Sequence, residues 1–158
     1  MVFMELDHKK YMHIAFEEAH KGYEEGGCPI GGVLVDNDTG EILGQAHNML
    51  VQHNDPSSHG ETETLKVAGR VRHQNTTLYT TLSPCFMCTG TIIQHQIPHV
   101  VVGDVTNARG NEEFLQERGV KVTIAEHPES VALVAKFRKE KPELWEEDWG
   151  ADAHYDGP

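Results

Sequence analysis

Two short segments carry residue types suited to holding a metal and moving protons: His59-Gly60-Glu61 and Pro84-Cys85-Phe86-Met87-Cys88. The spacing predicts that each opens a helix. Cysteines at i and i+3 share one helix face, so both sulfurs reach one ion. A helix N-terminus favours negative charge, and therefore the thiolate that binds metal. His59 adds a neutral nitrogen. Two thiolates and one imidazole make three ligands for zinc, and a fourth position left to water marks a catalytic site. Glu61 is not needed as a ligand. Beside the metal it is placed to take a proton from water and pass it on. A closed structural site would need a fourth protein ligand. Cys28, His47 and His53 qualify by type, but none belongs to a second ligand pair. Cys28, beside Pro29, reads as a packed thiol, and the remaining histidines show no ligand spacing.

The elements that must position these residues follow from periodicity and punctuation. Residues 6–25 predict a helix stopped by Gly26-Gly27. Val33-Leu34-Val35, a turn at Asn37-Asp38-Thr39-Gly40 and a return strand over 41–46 predict a hairpin. Residues 47–58 read as a loop. A helix is expected over 59–68, a strand over 77–81 and a helix from Cys85 to about Gln96. Further along, 100–102 and 120–124 read as strands, 111–118 and 129–140 as helices, and 142–149 as a turn or helix. This order predicts one α/β domain with a mixed sheet between helices, its helix-separated strands parallel. The domain spans 1–150, and 151–158 reads as a flexible tail.

Composition narrows the function. The 158 residues suffice for one ordinary core, and no apolar run approaches the ~18 residues of a membrane span. The first residues lack the pattern of a signal peptide. Three cysteines, two of them three apart, make a poor disulfide framework, so a cytoplasmic location is expected. The net charge is −12, with no basic block among the 13 Lys and Arg. That disfavours a nucleic-acid partner, since such binding rests on neutralising phosphates. A small neutral or cationic substrate fits better.

His-x-Glu followed by Pro-Cys-x-x-Cys is a signature of zinc nucleobase deaminases. From about Tyr11 to Trp149 the sequence resembles the cytidine deaminase superfamily, and most nearly its fungal-type cytosine deaminases. Four further stretches carry the likeness: Glu25-Gly26-Gly27-x-Pro29-Ile30-Gly31-Gly32, Gly44-x-x-His47-Asn48-Met49, Thr76 to Ser83, and Pro142-x-x-Trp145-x-x-Asp148. The resemblance implies a three-layer α/β/α sandwich with a five-stranded sheet, one zinc ion per subunit, a homodimer and a place in pyrimidine salvage. It also implies roles. Asn48 bonds the edge of a base, and Asp148 accepts a hydrogen bond from it. Trp145 and Ile30 supply apolar walls. The Gly60 backbone meets the ring carbonyl, and the Ser83 carbonyl faces the amine being lost. Taken alone, without the resemblance, Asn48 reads as a loop stabiliser, Asp148 as a surface acid and Trp145 as core.

One departure stands out. Ala108 occupies a loop position where the family's pattern has a phenylalanine. Loss of a ring predicts a more open pocket and a wider choice of substrate, with Trp149 as the residue placed to fill part of the gap. Three readings follow. The first is hydrolytic deamination of a small free base, cytosine above others. The second is a deaminase of another substrate: guanine or another purine, a nucleoside, or adenosine in tRNA. The third is a zinc module without catalysis, against which Glu61 argues.

Overall fold

A computed structural model describes residues 5–150; the tail read over 151–158 lies outside the described residues. Helix α1 (His8–Glu24) starts at Asp7, whose carboxylate accepts from the Lys10 N–H. Strands β1 (Gly31–Asp36) and β2 (Ile42–His47) form the expected hairpin. The stretch expected to be loop contains a single helical turn, α2 (Leu50–His53), closed by Asn54 at φ 50°. Four residues are too few to show a helical period. Helix α3 (Gly60–Ala68), β3 (Thr76–Thr80), α4 (Phe86–Gln94) and β4 (His99–Val102) follow. The chain continues through α5 (Glu112–Glu117), β5 (Lys121–Ile124), α6 (Pro128–Glu140) and α7 (Pro142–Trp149). Each of these boundaries falls within about two residues of expectation.

The five strands run in the order β2-β1-β3-β4-β5. β1 is antiparallel to both neighbours, whereas β3, β4 and β5 are mutually parallel. The α3 connection therefore carries the chain from β2 across β1 to β3, which leaves the helix-separated strands pointing the same way.

The period-2 alternation of strands divides the core between two faces. Val33, Val35, Tyr79 and Val101 pack with Tyr11, Met12 and Ala15 of α1. Leu34, Leu78, Val100 and Val102 pack on the other face with Ile92 and Leu115, from α4 and α5. Leu65 and Ala68 of α3 border the same cluster. Helices thus cover both faces, giving the three-layer sandwich. Close approach of helix backbone to sheet needs glycine at two places. A Cβ at Gly31 would lie 2.0 Å from the Ala15 carbonyl oxygen, and one at Gly44 2.6 Å from that of Thr64. A third cluster joins Cys28, Ile30, Leu82 and Ala108 to Val134 and Phe137 of α6 and Trp145 and Trp149 of α7. It sits beyond the C-terminal end of β3, where α/β sheets hold their ligands.

Candidate active site

Both ligand segments stand at helix starts. His59 is the N-cap of α3, and its N–H donates to Thr62 Oγ1 at 2.9 Å. Cys85 is the N-cap of α4, its sulfur accepting from the Cys88 N–H at 3.5 Å. Pro84 precedes it, and Asn111 fixes the Pro84 carbonyl at 2.9 Å. His59 Nδ1 lies 3.4 Å from Cys85 Sγ and 3.6 Å from Cys88 Sγ. Bond lengths of ~2.0 and ~2.3 Å about a tetrahedral zinc put nitrogen and sulfur about 3.5 Å apart. The three donors therefore fit a zinc ion. Cys28, His47 and His53 do not join this group. His47 pairs instead with Glu18 and Glu25, at 2.9 and 2.8 Å. Cys28 is the packed thiol expected; burial and the nearby Asp148 carboxylate push its pKa up.

The electrostatics suit a cation. The Cys88 thiol and the His59 ring hold Cys85 down to about 4 against the cost of burial. Burial pushes Glu61 up to about 6, assisted by the charge on Cys85. Glu61 is fully enclosed in the second position of α3, and Thr80 Oγ1 lies 2.8 Å from its Oε1. Thr80, the last residue of β3, went unnoticed in the sequence because nothing in its spacing ties it to Glu61. The same hydroxyl lies 3.0 Å from the Leu82 carbonyl. It has one proton for two acceptors. When Glu61 is ionised the hydroxyl donates to it. When Glu61 is protonated, Glu61 donates to Thr80 and the hydroxyl turns to Leu82.

The residues assigned to substrate contact also converge. Asn48 is fully buried; its Oδ1 accepts from the Leu50 N–H at 2.9 Å, and its Nδ2 donates to Asp148 Oδ1 at 3.2 Å. It is thus both a loop stabiliser and a partner of Asp148. Asp148 is not a surface acid. Its Oδ1 also meets His59 Nε2 at 3.1 Å, the carboxylate partner that orients a metal-bound imidazole. Its Oδ2 is buried without a hydrogen bond. Burial pushes its pKa up to about 6, partly offset by His59. Gly60 opens α3, so its N–H precedes the helix ladder, and it packs on Ile30. Ser83 is held by its N–H to the Asp104 carbonyl at 2.9 Å and by its hydroxyl to Glu112.

Ile30, His59, Glu61, Leu82, Ser83, Cys85, Asp148 and Trp149 enclose a cavity of about 10 Å³, roughly the space of one water. Two expectations change here. Trp145 does not line this cavity. It stacks on Trp149, with ring centroids 5.6 Å apart, and Trp149 lines the cavity. Nor does Ala108 open the site. Its methyl group is fully buried in the cluster that holds both tryptophans, and the space is filled.

Comparison with known proteins agrees with this geometry. Residues 5–104 match the family described as the cytidine and deoxycytidylate deaminase zinc-binding region. The chain is 44% identical to a cytosine deaminase of Candida albicans, over 93% of this chain and 99% of that protein. It is 34% identical to a tRNA-specific adenosine deaminase of Buchnera aphidicola, over 83% and 93% of the two chains. A guanine deaminase structure from Nitrosomonas europaea superposes with a TM-score of 0.73 at 18% identity, over 86% of this chain and 87% of that one, a likeness of fold. With the metal triad, the buried glutamate and the five-stranded sheet all in place, the chain belongs to the cytidine and deoxycytidylate deaminase family, whose members are zinc hydrolases acting on C–N bonds.

Proposed function

We propose that this protein deaminates a free nucleobase by hydrolysis, converting cytosine and water to uracil and ammonia, and that residues 1–150 form the catalytic unit. The observation that carries the reading is Asp148 Oδ2. It is a buried acceptor without a hydrogen bond, beside the Asn48 amide, in a cavity with apolar walls. A flat base with an N–H at one edge completes it. Full-length similarity to a cytosine deaminase supports the same substrate.

His59, Cys85 and Cys88 would hold the zinc, which when bound would make a water acidic enough to serve as nucleophile near neutral pH. Asp148 accepts from the base, Asn48 bonds its edge, and the Gly60 N–H takes the ring carbonyl. Ile30 supports one face of the ring. The Ser83 carbonyl accepts from the amino group that leaves. Glu61 moves protons from the attacking water to the ring nitrogen, and then to the departing amine. Thr80 keeps the glutamate aimed in both protonation states.

The test is ammonia release by the zinc-loaded protein from cytosine, 5-methylcytosine, cytidine, guanine and adenine. Turnover led by cytosine is expected. Preference for a purine or a nucleoside moves the assignment to that substrate. No release from any, with zinc bound, leaves a non-catalytic module. Glu61→Gln is expected to keep zinc and lose about 10²–10⁴-fold in kcat.

We further infer a homodimer through α3 and α4. Val67 of α3 and Phe86 of α4 are 61% and 65% exposed, and Leu65, Val71 and Met87 line a groove. Exposed apolar surface of this kind marks an interface; light scattering at micromolar concentration tests it. No helix among the described residues is long and apolar enough to cross a membrane. A cytoplasmic role in pyrimidine salvage fits this reading.

A further inference from the structure

The inner cavity adjoins a larger one. Outside it lies a basin of about 230 Å³ lined by Pro56, Phe86, Met87, Glu147 and Gly150. Four residues belong to both linings: His59, Cys85, Asp148 and Trp149. They are the partition between basin and cavity. Two of them are metal ligands. Asp148 is tied to Asn48 and to His59. Trp149 is held by stacking on Trp145 at 5.6 Å, and the backbone turns immediately after it at Gly150, φ 51°. A cavity of about 10 Å³ cannot take a base unless part of its boundary yields. The residue of the four that is fixed neither by a metal nor by hydrogen bonds is Trp149. Its cluster includes two small side chains, Ala108 and Cys28.

We propose that Trp149 is the specificity-determining residue of this site. Its indole swings aside to admit a base and returns as the wall that limits the site to a single ring. The proposal rests on the free-base reading above and deepens it. The space it assigns to the second ring of a purine is the space the indole fills.

The experiment compares kcat/KM for guanine and cytosine in zinc-loaded wild-type protein, Trp149→Ala and Trp149→Phe. A ratio is used because it cancels differences in folded fraction. Trp149→Ala is expected to raise the guanine-to-cytosine ratio by about tenfold or more, the scale on which pocket volume discriminates. Trp149→Phe should fall between. Calorimetric titration with guanine gives the same ranking without turnover: binding appears in the variants and is weaker in wild type. If Trp149→Ala does not fold, Trp149→Phe decides. A ratio within about twofold of wild type in the folded, zinc-loaded variants, with unchanged guanine binding, overturns the assignment. Wild-type turnover of cytosine with a flat ratio refutes only the role of Trp149. Wild-type preference for guanine refutes the free-base cytosine reading and this inference together.

Discussion

Glu61 and Thr80 show how far residue identity alone carries the argument. His59, Glu61, Cys85 and Cys88 were legible in the sequence because metal chemistry dictates both residue type and spacing. Thr80 was not, because its role comes from the position of a strand end beneath α3, 19 residues from its partner. Replacing it with valine removes the hydroxyl and keeps the shape. Thr80→Val is expected to lower kcat about tenfold, the worth of a hydrogen bond to a charged group, with zinc content unchanged; steady-state kinetics and metal analysis check it. Asp148→Asn replaces one carboxylate oxygen with a donor, so the base N–H and the His59 Nε2–H cannot both be accepted. KM for cytosine is expected to rise by at least about tenfold. Trp145 teaches the converse lesson. An aromatic residue four positions before another on a helix shares its face, and sequence alone does not say which of the two touches the cavity.

At the scale of elements, strand alternation and glycine or proline punctuation revealed nearly every helix and strand. What they did not contain was the pairing of β1 with β3, which depends on the α3 connection passing over β1. Nor did they reveal how α1 is fastened to β2. Glu18 accepts from His47, Gln45 and Lys21, and His47 reaches on to Glu25. The His47 hydrogen bond, with those from Gln45 and Lys21, holds Glu18 down to about 2, against an ordinary 4.5. Glu18 in turn holds His47 above 6.5. A lowered carboxylate contributes stability above its unfolded value and loses it as pH falls toward its folded one. A raised histidine contributes fully below its unfolded value and loses it as pH rises through its folded one. The pair therefore contributes fully between about pH 4.5 and 6.5. Thermal unfolding of wild type and Glu18→Gln should differ most in that window, and the difference should shrink toward pH 2.5.

At the scale of the whole molecule, charge and metal decide the expected behaviour. With a net charge of −12, the protein should not retain tRNA at physiological salt; a filter-binding titration checks this despite the similarity to tRNA deaminases. Zinc joins the starts of α3 and α4, so chelation should lower Tm as well as abolish turnover, since an ion bound to the folded state alone stabilises it. Asn48 and Asp148 meet across 100 residues of chain. The metal ligands are all present once Cys88 has been synthesised, whereas the carboxylate and the indole that complete the site belong to α7. The chain thus carries a complete ligand set well before it carries a complete substrate site. A protein shortened before Pro142 should be purified with zinc yet be inert, so activity itself reports that α7 was made and docked.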